Sequence, residues 1–226
     1  MNLLALDTST HQATLALIRA DGSRFGAVSD ATKRHGRTLL VDLEHLLRKA
    51  DLSLAAVETI GVGLGPGSFT GLRIGVTAAK VLAYTTGCPV IGLDSLEILA
   101  WGAPPESLRI SAAVDAQRGE VFHAEFHRSA PGAMPDRRGP TRIERRDHWL
   151  AGLSPETAVV GAFSGWQGPT GPNLPEPDHL AEVARRAVNR GRRDDLWTLE
   201  PLYLRRSAAE EREWRDDPDG PRTNRE

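Results

Sequence analysis

The sequence predicts an α/β fold in two lobes, each a mixed sheet flanked by helices. Three observations lead there: an opening set of short apolar strands joined by polar turns, a passage in which apolar strands alternate with segments of helical period, and a Pro104-Pro105 break after which strands begin again. Residues 2–6 (NLLAL) form an apolar run that stops at Asp7-Thr8-Ser9-Thr10, and residues 13–19 (ATLALIR) resume it, which reads as a hairpin. Asp21-Gly22 supplies a turn, and Arg24 to Ser29 alternates as a third antiparallel strand. From His35 to Ala50 the period becomes helical: Leu39, Leu43, Leu46, Leu47 and Ala50 share a stripe, Leu40 lies at its edge and Val41 on the far side. Thr59 to Leu64 is a strand running into Gly65-Pro66-Gly67-Ser68. A second helix follows from Phe69 to Thr86, with Ser68 as N-cap and Gly87 as its terminator. Pro89 to Leu93 is another buried strand, and Ser95 to Trp101 a short helix.

Beyond the proline pair, Ile110 to Val114 and Glu120 to His127 read as two strands around the turn Asp115 to Gly119. Thr157 to Val160 is a short strand, and Leu180 to Asn189 a helix with Leu180, Val183, Ala184, Ala187 and Val188 on its apolar side. Residues 129–156 are polar, contain proline and give no assignable period. The expected division is an N-terminal lobe over 1–103, a C-terminal lobe over 104–206 and a disordered tail over 207–226, where DDPDGPRTNRE offers almost nothing to bury.

A chain of 226 residues with 40% hydrophobic content can bury a core without staples. Its 28 Lys and Arg against 30 Asp and Glu leave a net charge of −2, so no global field draws it to nucleic acid or anionic lipid, although local basic patches are allowed. The lone Cys88 cannot form an internal disulfide and reads as a buried structural thiol. The apolar start is too short for a signal peptide or membrane span, so the expected location is the cytoplasm.

Two segments suggest chemistry. Asp7, Thr8 and Ser9 end the first strand, where a carboxylate and hydroxyls could hold Mg²⁺ waters or a phosphate; the alternative is an ordinary hairpin turn. Gly65, Gly67 and Ser68 open the second helix, where backbone amides make an anion site; the alternative is a structural turn, because a P-loop would end in Gly-Lys-Ser/Thr and Lys80 lies about three turns away. His123 and His127 have i, i+4 spacing, yet on a strand of ~3.3 Å per residue they lie ~13 Å apart and cannot share a metal. Solvated or packed histidines are the expectation, and no metal site is expected elsewhere.

Taken in order, LLALDTST, RHGRTLL, GLGPGSFTGLRIGVTAAKVLA, SLEILA, VDAQRGEVFHAEF and PLYLRRSAAEEREW resemble the TsaB (YeaZ) family, which takes part in making threonylcarbamoyladenosine in tRNA. The resemblance implies a two-lobed, RNase H-like fold of the actin, hexokinase and Hsp70 ATPase type. It also implies kinship with the larger catalytic subunit TsaD, which binds a metal through an HxxxH pair just after the strand corresponding to Pro89 to Leu93. This chain carries Ser95 and Leu99 there, and leucine has no lone pair to donate. The implied role is a non-catalytic partner that forms a heterodimer with TsaD, joined by TsaE, for modifying the adenosine next to the anticodon. The chain would meet tRNA only through that complex, need no cofactor, bind ATP or ADP weakly at most, and have no membrane contact; a homodimer in isolation stays open.

An alternative of another class is an active ATP/Mg²⁺-dependent kinase or transferase using Asp7 and the Gly65 loop, for which the C-terminal lobe offers only GAFSGWQG as a second phosphate loop. An RNA-binding module would want exposed aromatics on a basic surface, and aromatics are 5%. The expected partner surface lies on the two N-lobe helices, through Val41, Leu72, Arg73 and Val76, because these helices carry more apolar residues than one core-facing stripe requires.

Overall fold

The computed structural model describes residues 1–29, 35–163 and 174–205. Strands β1 (Leu3–Asp7), β2 (Thr14–Ile18) and β3 (Arg24–Val28) form the antiparallel meander, and β4 (Thr59–Gly63) and β5 (Val90–Leu93) extend it in parallel, giving the order β3-β2-β1-β4-β5. The parallel strands are continuous apolar runs because both faces of this sheet are covered. Leu4 and Leu6 point to a cluster with Leu39, Leu43 and Leu46 of α1 (His35–Lys49) and Val76, Ala79 and Leu82 of α2 (Phe69–Thr86). Leu3 and Ala5 point to the opposite cluster, with Leu180, Val183 and Ala184 of α5 (Pro177–Asn189). Each fully buried leucine contributes roughly 2 kcal/mol.

The second sheet has the order β8-β7-β6-β9, from β6 (Arg109–Gln117), β7 (Glu120–His127), β8 (Asp136–Arg145) and β9 (Thr157–Ala162), with β9 parallel to β6 and the others antiparallel. Its inner face buries Ile110, Ala112, Val114, Phe122, Ala124 and Phe126 under α3 (Ser95–Trp101). Its outer face carries α4 (Arg146–Ala151) through Trp149. The layers therefore run α1 and α2, first sheet, α5 and α3, second sheet, α4. The stretch 129–156 holds β8 and α4. Strand β8 is an edge strand of mostly exposed residues, so no apolar alternation betrays it.

Two helices cross the expected division at 103/104. Helix α3 belongs by sequence to the first lobe, but its Leu96, Leu99 and Ala100 pack on the second sheet, while Ile98 faces the α5 cluster. Helix α5 belongs by sequence to the second lobe and packs on β1, β2, β3 and β5. A short helix that is apolar on two sides seals both sheets at once, which chain order does not reveal. Cys88 is half-buried against the first core and not fully enclosed.

The expected use of α2 also changes. Its buried residues are Gly71, Leu72, Gly75, Val76, Ala79, Leu82 and Ala83, so small residues and large apolar ones together make one broad face against the sheet. Leu72 and Val76 are core, and only Val41 and Arg73 of the four expected surface residues are exposed.

Candidate functional site

The ends of β1 and β4, the start of α2 and the start of α3 meet at Asp7. Asp7 and Thr8 are 0% exposed and Ser9 is 2% exposed. Asp7 Oδ1 accepts hydrogen bonds from the Ser9 backbone N–H (2.9 Å) and the Ser9 hydroxyl (2.6 Å), and Oδ2 accepts one from the Ser95 hydroxyl (2.6 Å). Ser95 Oγ in turn accepts the Gly65 N–H (3.1 Å), and the Ser95 N–H donates to the Gly65 carbonyl (3.0 Å). Burial pushes the Asp7 carboxyl above its ordinary range, against the hydrogen bonds from Ser9 and Ser95 that favour the anion.

The helix start that resembled an anion site is filled by the chain itself. The Ser68 N–H donates to the Ser9 carbonyl (2.6 Å), Ser68 caps α2 through the Gly71 N–H (3.2 Å), and the Thr8 hydroxyl donates to the Gly71 carbonyl (2.8 Å). A Cβ on Gly67 would overlap the Ser9 carbonyl oxygen, and one on Gly71 the Thr8 carbonyl oxygen. The glycines therefore let two stretches of backbone touch, where a phosphate would need space. The sequence offers Asp7, Thr8, Ser9, Gly65, Gly67 and Ser68 as nucleotide or phosphate loops; the structure brings them together in one junction where the loops touch and hydrogen-bond to each other.

The metal implied by kinship with TsaD does not fit these residues. Ser95 is committed to Asp7 and Gly65, and Leu99 is 0% exposed within the second core. Among the described residues no group of three or more His, Cys, Asp or Glu is placed to hold a metal ion. Most of GAFSGWQG and all of the 207–226 tail lie outside the described residues.

A cavity of about 610 Å³ does open on the outer face of the second sheet, at residues the sequence did not offer as a site. Register across β8, β7 and β6 places Arg138 opposite Glu125 and Arg142 opposite His123, with Arg109 opposite His127. Trp149 of α4 covers one side: its indole N–H donates to Ser111 Oγ (3.1 Å), and the Ser111 hydroxyl donates to Glu125 Oε1 (2.6 Å). His123 is buried beside Trp149, with ring centroids 5.6 Å apart. Its Nε2 lies 3.3 Å from Glu144 Oε2 and its Nδ1 3.8 Å from Glu125 Oε1, yet among the described residues neither nitrogen makes a hydrogen bond. Two signals were present in the sequence, the alternation His123, Glu125, His127 on one strand face and the arginine-rich run 137–146, but both sat beside or within the unreadable stretch.

A third surface is the outer face of α1 and α2, which lie side by side on the first sheet. Leu40, Val41, Val81 and Tyr84 are exposed there, and Trp197, 72% exposed, meets Tyr84 edge to face at 5.8 Å. Arg73 lies over the Phe69 ring at 4.0 Å and donates to the Tyr203 hydroxyl (3.0 Å).

Comparison with known proteins gives consistent matches. Residues 27–133 match the family model described as TsaD, tRNA N6-adenosine threonylcarbamoyltransferase. The tRNA threonylcarbamoyladenosine biosynthesis protein TsaB of Escherichia coli K12 is 30% identical, over 92% of this chain and 96% of that protein. The TsaB protein of Bacillus subtilis 168 is 29% identical over 93% and 96%. The solved structure of YeaZ from Pseudomonas aeruginosa superposes with a TM-score of 0.78 at 29% identity, covering 90% of this chain and 99% of that one.

Proposed function

The chain belongs to the TsaB family, and from that premise we propose that it is a non-catalytic partner subunit in the synthesis of threonylcarbamoyladenosine in tRNA, working beside a TsaD-type transferase. The observation that carries the non-catalytic half is the closed Asp7–Ser95 junction. Where a catalytic relative of this fold would need a metal or phosphate at the mouth of the first sheet, this chain has joined its own backbone and hydroxyls. Any binding of ATP or ADP by the isolated chain is accordingly weak. In this reading TsaD is held on the α1–α2 face through Leu40, Val41, Val81 and Tyr84, TsaE joins the pair, and tRNA is met in the assembled complex. In the absence of TsaD the same face is free to pair two copies of the chain. The cytoplasm is the location such a role requires; among the described residues no helix is long and apolar enough to cross a membrane.

The test is reconstitution with purified TsaD, TsaE, tRNA and threonylcarbamoyl adenylate. The chain alone modifies no tRNA, and adding it to the other components raises modification at least tenfold. Val41→Asp with Val81→Asp leaves folding intact and weakens TsaD binding by roughly 3 kcal/mol, since two carboxylates are desolvated without counter-charges. Turnover by the chain without TsaD, or unchanged affinity in the folded double variant, contradicts the role or the surface respectively. The kinase reading has no comparable support, because its proposed magnesium carboxylate is fully buried.

A further inference from the structure

The outer-face cavity carries an inference of its own. Arg109, Arg138 and Arg142 line it, all three exposed, and none makes an ion pair or side-chain hydrogen bond among the described residues. Three unpaired guanidiniums around one cavity favour an anion, and the planar fork of each suits phosphate oxygens. Glu125 and Glu144 line the same cavity, one oxygen of Glu125 accepting from Ser111 and one of Glu144 lying 2.6 Å from His148 Nδ1. Two carboxylates repel a bare oxyanion, so the ligand must bring donors as well as negative charge. His123 makes the same demand from inside. It is a buried imidazole with no hydrogen bond at either nitrogen among the described residues, and a buried polar group without a partner is costly. Volume narrows the choice further, because about 610 Å³ lies in the range of sites for ligands larger than an amino acid or a simple anion.

We propose that this cavity is a binding site for a ribose phosphate unit, with the phosphate held by Arg109, Arg138 and Arg142 and the sugar hydroxyls donating to Glu125 and Glu144. Carboxylates that accept from ribose hydroxyls are a common solution in nucleotide sites. The same unit occurs in a free nucleotide and in RNA. The biological relevance of the RNA source rests on the proposed role in tRNA modification, whereas the binding chemistry does not. The site lies on the second sheet, on the opposite side of the layered fold from the α1–α2 face, so a ligand here and a protein partner there do not compete.

The experiment is titration of the isolated full chain with AMP, adenosine, inorganic phosphate and a ten-nucleotide single-stranded RNA, followed by NMR at the Trp149 indole and His123 ring. AMP and RNA should shift both signals, and adenosine and inorganic phosphate should bind at least tenfold more weakly than AMP. Per-site affinity higher for RNA than for AMP assigns the natural source to RNA; equal affinity assigns it to free nucleotide. The triple variant Arg109→Ala, Arg138→Ala, Arg142→Ala should lose at least tenfold in AMP affinity while keeping its melting temperature, and Arg48→Ala on α1 should lose nothing. Should the triple variant misfold, Arg138→Ala alone carries the same test with a severalfold loss. No shift at Trp149 and His123 with either AMP or RNA overturns the site, and inorganic phosphate binding as well as AMP overturns the ribose assignment. Neither result bears on TsaD binding, so failure here leaves the partner role standing.

Discussion

The junction at Asp7, at the end of β1, and the cavity at His123, on the outer face of the second sheet, are both polar places, and they differ in who satisfies the polar groups. At Asp7 every element brings its own partner: Ser9, Ser95 and Gly65 close the hydrogen bonds, and glycines let the loops touch. At His123 the described residues stop short, leaving among themselves an imidazole without hydrogen bonds and three arginines without ion pairs. A loop sequence that looks like a site can thus be an internal weld, while an uninformative stretch can build the open cavity.

If that contrast holds, substitutions at the first region cost stability and those at the second do not. The largest effect is expected for Gly71→Val, whose side chain would collide with the Thr8 carbonyl at the base of α2. A loss of about 3 kcal/mol or more follows, or a fall in melting temperature of roughly 6–12 °C for a chain of this size. Thermal unfolding checks it, and a normal melting temperature would mean the loops do not touch in solution.

Ser95→Ala is the next test. It removes the donor to Asp7 and the acceptor for the Gly65 N–H, leaving two buried groups short of a partner at a cost of about 1–3 kcal/mol in urea unfolding. A cost near zero would show that water enters the junction and does the work of Ser95.

Titration of Asp7 sharpens the comparison further. Its folded pKa is raised above the ordinary 3.8 by burial. Such an acid stabilises the fold fully below its unfolded pKa, and that contribution is lost as pH rises through the folded value. Asparagine does not ionise, so Asp7→Asn should gain on the wild type as pH climbs from about 4 towards neutrality. Urea midpoints of both proteins across that range measure the change, and a difference independent of pH would place the Asp7 pKa at its ordinary value.

The smallest effect belongs to the cavity. Arg138→Ala with Arg142→Ala should change stability by less than about 0.5 kcal/mol, since both guanidiniums are exposed and unpaired among the described residues. A loss above about 2 kcal/mol would mean that the two arginines hold the β8 edge in place and are not free for a ligand.

What the sequence made legible follows from where its signals come from. Elements buried on one or two faces announce themselves, so β1, β2, α1, α2 with its Ser68 cap and Gly87 terminus, and β6–β7 lie within a few residues of their expected limits. Strand β8 was hidden because Arg138, Gly139, Pro140 and Arg142 are exposed and the strand's order comes from pairing with β7 alone. The exchange of α3 and α5 between sheets was hidden because an apolar helix face does not say which sheet it covers. Leu72 and Val76 were misplaced for a related reason: a face built partly of glycine and alanine is wider than a stripe of large residues suggests. Asp7 was found and its environment was not, since whether a hydroxyl or a metal meets a carboxylate depends on Ser95, 88 positions away.

The closed state of the Asp7 junction is tested most directly by calorimetric titration of the isolated chain with ATP and Mg²⁺, in parallel with Asp7→Ala. The expected result is a dissociation constant weaker than about 100 μM that does not change in the variant, because no nucleotide reaches a carboxylate that is 0% exposed. A submicromolar constant that disappears in a folded Asp7→Ala protein would contradict it, and would mean that the junction opens to take up nucleotide.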